Sequence, residues 1–172
     1  GEPGGTPDPG SLWRVISGHK VKGLCTAPTA FRAIKKEDPG GEYLKHYDMA
    51  HFECLYLAGE RTDPDTLHWA EEKLGVPVID HWWQTETGWP MCSNPMGLEP
   101  QPVKVGSATF PVPGYDIQVL DDEGMACDPG TTGHIVVKLP LPPSCFPSLW
   151  TDYEPFRKSS LSQFTGHSQI CD

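Results

Sequence analysis

The stretch CLYLAGERTDPDTLHWAEEKLGVPVID, residues 54–80, decides the fold. Cys54-Leu55-Tyr56-Leu57-Ala58 is an apolar run ended by Gly59, which reads as a buried strand. Thr62 or Asp63 then offers an N-cap, Pro64 fits the first helical turn, and Asp65 favours the positive end of the dipole. Leu67, Ala70 and Leu74 recur at three- and four-residue steps on one face, and Gly75 is a natural stop. Val76-Pro77-Val78-Ile79 is the next apolar strand. A strand, a helix and a second strand follow one another within 27 residues.

The same alternation extends upstream. Ser11 is a candidate N-cap for a short helical stripe of Leu12, Trp13, Val15 and Ile16. Val21 to Cys25 reads as a buried strand stopped at Pro28. A helix from Thr29 to about Lys36 ends in Asp38-Pro39-Gly40-Gly41, with Lys35-Lys36-Glu37-Asp38 as a solvated helix end. Glu42 to Tyr47 forms a weak helical turn. Short apolar strands separated by helices predict an α/β fold, a parallel sheet covered on both faces. Downstream, residues 91–103 read as loop. Residues 114–120 alternate, Asp121-Asp122-Glu123-Gly124 is a solvated turn, and Gly133 to Leu139 is another strand, so this pair is expected to be antiparallel. The expected organisation is therefore residues 1–103 in an α/β domain, 104–139 in a small antiparallel β subdomain, and 140–172 in a Pro-rich loop and a polar, weakly helical tail.

Composition narrows the function. The 172 residues carry a net charge of −10, which argues against nucleic acid or an anionic membrane as partner. No apolar run approaches the roughly 18 residues of a membrane span. Six Trp, five Tyr and six Phe make the chain too apolar for disorder. The chain begins at Gly1 in GEPGGTPDPG, which has neither the basic nor the apolar region of a signal peptide, and is read as a processed end, a boundary or a fragment. That loop also lacks the GxxxxGK[ST] spacing of a phosphate-binding loop. No two of the six cysteines lie closer than 18 positions, so no zinc knuckle or CxxC redox pair exists. Cys25, Cys54 and Cys145 sit in apolar surroundings and read as reduced, buried thiols. Ser11, Ser17 and Ser93 have no His and acid partners in recognisable order, which leaves a hydrolase triad unsupported. Trp69 and Trp150 read as packing residues.

In parallel α/β sheets, ligands lie beyond the carboxyl ends of the strands. Two such ends stand out: Gly59-Glu60-Arg61, and Asp80-His81-Trp82-Trp83-Gln84-Thr85-Glu86-Thr87-Gly88. Adjacent Trp side chains in a loop must pack on something, either the core or a flat ligand. A carboxylate flanked by hydroxyls at Thr85, Glu86 and Thr87 suits Mg²⁺, which takes one or two protein carboxylates plus substrate phosphates. Between Arg61 and Lys104 the only cation is Lys73, so the segment has little positive charge of its own.

Five segments in order, TPDPG…TAPTAF (6–31), LAGERTDP (57–64), DHWWQTETGWP (80–90), GSATFPVPGY (106–115) and LPLPPSCFPSLW (139–150), resemble the short-chain, acetyl- and propionyl-CoA synthetase branch of the adenylate-forming acyl-CoA synthetases. The DHWWQTETG and AGER spellings look closest to the mitochondrial short-chain member and the bacterial propionyl-CoA synthetases. The resemblance implies that ATP and Mg²⁺ convert a short-chain carboxylate, propionate or acetate, to an acyl-adenylate with release of pyrophosphate. The CoA thiol then forms the thioester. It also implies roles by position. Gly59, Glu60 and Arg61 match the adenine-contacting turn, and Asp80, His81 and Trp82 the segment along the adenine. Gln84 and Thr85 match residues near the AMP phosphate, with Thr85 and Glu86 the catalytic candidates. Glu86 matches the Mg²⁺ ligand. Trp83 matches the indole that walls a pocket of only a few carbons.

Asp172 falls where the family has a ribose-binding Asp, but here the preceding stretch is Gly166-His167-Ser168-Gln169-Ile170-Cys171, without the usual Thr-Gly turn. The phosphate loop and the domain bearing the catalytic lysine are not found. A mid-chain fragment, inactive by itself, is therefore expected. The resemblance places the parent in the mitochondrial matrix, with the cytosol as alternative. Another adenylate-forming ligase, whose pocket normally lacks Trp at position 83, and a non-catalytic truncated product remain as rival readings.

Overall fold

The computed structural model describes residues 7–146, 164 and 166–168. The stretch 1–6, Trp150, Asp172 and most of the tail lie outside the described residues; within the described part of the tail, His167–Ser168 form a strand rather than a helical turn. The described residues form two compact units, one drawn from Gly1–Trp82 and Ser93–Thr109, the other from Trp83–Cys92 and Phe110–Asp172.

The first unit is built on a three-stranded parallel sheet in the order β1-β2-β3: β1 Gly23–Thr26, β2 Cys54–Leu57 and β3 Val78–Asp80. Helix α1, Ser11–Gly18, precedes β1; α2, Pro28–Glu37, links β1 to β2; α3, Pro64–Leu74, links β2 to β3. This is the α/β alternation read from the sequence. Leu24, Leu55 and Val78 share one sheet face by register. Leu55, Leu57 and Val78 are fully buried there in one cluster with Phe31, Ile34 and Leu67 of the helices. Each such side chain contributes ~1.5–3 kcal/mol when removed from water. Trp13 of α1 meets Phe31 of α2 edge-on, with ring centroids 5.9 Å apart.

The second face departs from expectation. Cys25, Tyr56 and Ile79 lie side by side on it. Ile79 is buried, Tyr56 half-buried and Cys25 exposed, so helices do not cover both faces fully. The strand expected at Val21 to Cys25 runs Gly23–Thr26 instead. It is an edge strand, paired only with β2 among the described residues, and its residues alternate between exposed and half-buried. The thiols divide accordingly: Cys145 is buried, Cys54 half-buried, and Cys25 exposed rather than buried.

Helix ends follow side-chain chemistry. Asp63 caps α3, its Oδ1 accepting from Thr66 N at 2.8 Å, and Gly75 closes the helix with φ +66. Only a residue tolerant of the left-handed region ends a helix this way. The expected Ser11 cap is corrected: Gly10 occupies the N-cap of α1 and no side chain caps it. The reason lies upstream, where Asp8 Oδ1 accepts from Gly10 N at 2.8 Å and Asp8 O from Ser11 N at 3.2 Å, so Asp8 orders the entry. Within α1, Trp13 and Ile16 are buried, whereas Val15 turns outward. Asp38 is likewise buried rather than solvated. Its carboxylate accepts from Glu42 N and Tyr43 N at 2.8 and 2.9 Å and so starts the 3₁₀ turn Tyr43–His46.

One pH dependence follows from α3. The hydrogen bond from Arg32 holds the Asp63 carboxyl at about 2, below its ordinary 3.8. A lowered folded pKa stabilises above pH 3.8, and that contribution disappears as pH falls toward 2. The pair is largely solvated, so the effect is expected to be under about 1 kcal/mol. Acid titration followed by helical circular dichroism should show this loss between pH 4 and 2. Asp63→Asn keeps a cap acceptor and should flatten that part of the curve; an unchanged acid limb would remove Asp63 as its source.

The second unit carries β6, Ile117–Leu120, β7, His134–Lys138, and β8, His167–Ser168, an antiparallel sheet in the order β6-β7-β8. Leu120, Val136 and Phe164 form its core. The Asp121 turn is closed by its own carboxylate, which accepts from Glu123 N and Met125 N. The stretch expected as plain loop, 91–103, begins with a strand residue pair: β4, Cys92–Ser93, adjoins β5, Phe110–Pro111. Asn94 is buried and donates to Gln101 O and Pro102 O, which ties down the remainder of that stretch.

Candidate functional site

Parallel pairing of β2 and β3 brings two of the singled-out segments to one end of the sheet. Leu57 is opposite Asp80, and His81 N donates to Leu57 O at 2.9 Å. Gly59-Glu60-Arg61 and His81-Trp82 therefore leave the carboxyl ends of adjacent strands, the place where such sheets take ligands. Gly59 has φ +97, a conformation that suits glycine and sharpens the turn.

Each residue of this end has a definite environment. Glu60 and Arg61 are exposed. Arg61 lies against Gly106, where a Cβ would come within 2.7 Å of its Nη2, so a side chain there would displace the guanidinium. Asp80 is buried at the rim of β3 and accepts from Thr62 N at 3.3 Å. Burial raises its carboxyl above the usual range, a shift opposed by the Thr62 bond and by Arg61. His81 is 6% exposed, and burial lowers its imidazole, which favours the neutral ring. Its Nε2 lies 3.6 Å from Cys25 Sγ, and its ring meets Tyr56 edge-on at 5.6 Å. Trp82 is half-buried. Two buried polar atoms at this end, Thr62 Oγ1 and His81 Nδ1, have no hydrogen-bond partner. Buried polar atoms without partners are rare and call for an explanation.

The rest of the segment belongs to the second unit. Trp83 is 43% exposed, Gln84 half-buried, and Thr85 and Glu86 exposed. Thr87, fully buried, organises the turn. Its hydroxyl donates at 2.8 Å to Gln84 O and lies 2.9 Å from Trp89 O, while Gln84 N donates to Thr87 Oγ1 at 3.1 Å. Beneath it Tyr115 Oη lies 3.4 Å from Thr87 O, and Phe146 N donates to Glu86 O at 2.9 Å. Gly88 has φ +61, and a Cβ there would sit 2.9 Å from Ser144 O. The backbone of Thr85 and Glu86 is thus fixed from below while both side chains face water. Gln84 Oε1 is a third buried atom without a partner. Sequence reading named Thr87 only as one more hydroxyl. Its central position three residues after Gln84, in a turn closed by Gly88, is the signal that marks it as the organiser.

The lone cation of the interval, Lys73, pairs with Glu72 at 2.7 Å on α3. A groove of about 500 Å³ opens between α2 and α3, lined by Arg32, Lys35, Asp63 and Asp65 among others, and none of the predicted site residues lines it. Four of its charges pair with one another, Arg32 with Asp63 and Lys35 with Asp65. Of the buried side-chain polar atoms without partners among the described residues, Thr62 Oγ1, His81 Nδ1 and Gln84 Oε1 follow the strand ends, while Trp13 Nε1 and Asn94 Oδ1 lie elsewhere, and none of them lines this groove.

Residues 2–145 match the family of AMP-binding enzymes. The chain belongs to that family. Among similar proteins of the AMP-binding family, an uncharacterised protein of Pseudomonas aeruginosa is 49% identical over 172 residues, all of this chain and 27% of that protein. The acyl-CoA synthetase short-chain family member 3, mitochondrial, of Homo sapiens is 44% identical over 100% of this chain and 25% of its own length. The propionate–CoA ligase of Escherichia coli is 41% identical over 92% of this chain and 25% of its own length. The chain thus spans about a quarter of the length of these relatives. Among solved structures, the anthranilate CoA ligase AuaEII in complex with anthranoyl-AMP superposes with a TM-score of 0.74 over 92% of this chain and 28% of that one, at 23% identity. That likeness carries the fold alone: a parallel α/β part followed by an antiparallel β part. No helix among the described residues is long and apolar enough to cross a membrane.

Proposed function

We propose that this AMP-binding chain supplies the nucleotide and acyl end of an AMP-forming short-chain acyl-CoA synthetase acting on propionate or acetate. The observation that supports this most is the register of β2 against β3. It sets Gly59-Glu60-Arg61 beside Asp80-His81-Trp82 at one sheet end, with buried acceptors and donors there left without partners. An adenine edge, rich in donors and acceptors, would satisfy Thr62 Oγ1 and His81 Nδ1, and the half-buried Trp82 offers an indole face to a purine. Neutral His81 can donate from one nitrogen and accept at the other.

The remaining roles follow the family pattern. Gln84 and Thr85 lie near the AMP phosphate, Glu86 holds Mg²⁺, and Trp83 walls the acyl pocket. Glu86 fits a hard cation because its carboxylate is exposed on a turn that the buried Thr87 holds rigid. Among the described residues no three His, Cys, Asp or Glu side chains gather into a closed metal site. When bound, the ion would offset phosphate charge. The acid oxygen would attack the α-phosphorus, pyrophosphate would leave, and the CoA thiol would then displace AMP at the acyl carbon. Asp172 is the candidate ribose ligand. The mitochondrial names of the mammalian relatives favour the mitochondrial matrix, with the cytosol as alternative.

Tryptophan fluorescence tests this reading directly. Titration of the chain with AMP, then with ATP and Mg²⁺, should give saturable quenching that His81→Ala abolishes. A flat titration with both nucleotides would sink the nucleotide site.

A further inference from the structure

Four consecutive residues of the turn between β2 and α3 each have a neighbour outside the turn, and two of them share Arg32. Glu60 Oε1 accepts from Arg32 Nη1 at 3.0 Å. Arg61 lies close to Gly106, where a side chain would crowd its guanidinium. Thr62 N donates to Asp80 at 3.3 Å. Asp63 Oδ2 accepts from Arg32 Nε at 2.9 Å, while its Oδ1 caps α3 through Thr66 N. Arg32 lies on α2, well away in sequence, and its planar fork grips the turn on both sides of Arg61 and Thr62. Lysine, a single point charge on a flexible stem, has no equivalent two-armed grip.

We propose that Arg32 is the positioning residue of this turn: by bridging Glu60 and Asp63 it holds the Glu60–Thr62 backbone in the one conformation that meets the nucleotide base. The inference rests on the reading of Gly59-Glu60-Arg61 as the base-contacting turn. Arg32 itself touches no nucleotide and acts through Glu60 and Asp63. The alternative is an ordinary solvated ion pair that could be lost with little consequence.

The test uses the full chain with Arg32→Met, Arg32→Lys and Glu60→Gln. Amide hydrogen exchange reads the clamp without any nucleotide. Thr62 N–H should exchange about fivefold faster in Arg32→Met and Arg32→Lys alike. Thr66 N–H, capped by Asp63 without Arg32's help, should stay within about twofold, which separates a loosened turn from an unfolded helix. AMP titration reads the consequence: the dissociation constant should rise about fivefold in both Arg32 variants, and Arg32→Met should add little in a Glu60→Gln background. Unchanged Thr62 exchange overturns the proposal, as does wild-type AMP affinity in Arg32→Met. Were the wild-type chain itself not to bind AMP while Thr62 still loosened, the nucleotide reading would fall, and the base with it as occupant, yet the clamp would be supported. Should Arg32→Met not fold, Arg32→Lys and Glu60→Gln give the same two readouts.

Discussion

Replacing Glu86 by Gln in the complete enzyme proposed to carry this chain is expected to slow acid-dependent exchange of pyrophosphate into ATP by about 10²- to 10³-fold, the several kcal/mol that a well-placed cation contributes to phosphoryl transfer. The side chain is exposed, and the contact that fixes this position, Phe146 N to Glu86 O, belongs to the backbone. Thermal stability should therefore barely move. The residual activity should need far more Mg²⁺, because Gln keeps the shape but not the charge that draws a hard cation. Wild-type exchange at ordinary Mg²⁺ would remove Glu86 from the metal.

A second large effect is expected at Trp83. Its indole is 43% exposed, an uncommon state for the most costly apolar surface a protein can show to water. If Trp83 is the end wall of the acyl pocket proposed above, its loss to Gly should open room for several carbons. Each methylene accommodated or excluded is worth about 1–3 kcal/mol, or roughly 10–200-fold in kcat/KM. Comparing acetate, propionate, butyrate and hexanoate across the Trp83→Gly variant should therefore reverse the order of preference toward the longer acids. An unchanged chain-length profile would place Trp83 elsewhere. The core does not need the ring, so a fold-wide collapse is not the expected result.

How far these features were legible in the sequence depends on how local their causes are. The α3 helix was readable to within a residue because its cap, its first-turn proline and its αL glycine all lie within the segment Asp63–Gly75. Gly59 as the end of one strand, and the parallel sense of the two strands, followed from two apolar runs separated by one helix; the register that pairs Leu57 with Asp80 came only from the structure. The exposure of Cys25 did not, because an apolar strand reads the same at a sheet's edge as at its centre. Only the strand order places it. Asp38 looked like part of a charged helix end, yet it is buried through two backbone donors four and five residues later, a local contact that competes with solvation. Ser11 lost the cap to a device set three residues earlier by Asp8. At the candidate site, the residue types at strand ends were legible. Arg32's grip on Glu60 and Asp63 was not, since it spans about thirty residues and is made by tertiary packing.

The peptide chain passes from one compact unit to the other at 82/83, 92/93 and 109/110. Neither unit is therefore a contiguous gene segment. A stop codon after β3 would strip the first unit of Ser93–Thr109, including the buried Asn94 and the Gly106 that lies beside Arg61. Expressing the antiparallel part from Phe110 onward would discard Thr87 and the turn it organises. Dissection of this protein into separately expressed halves, or insertion of a protease site between them, should yield insoluble or unfolded products. A permuted or linker-spliced design that restores each unit's missing piece is the route to studying either one alone.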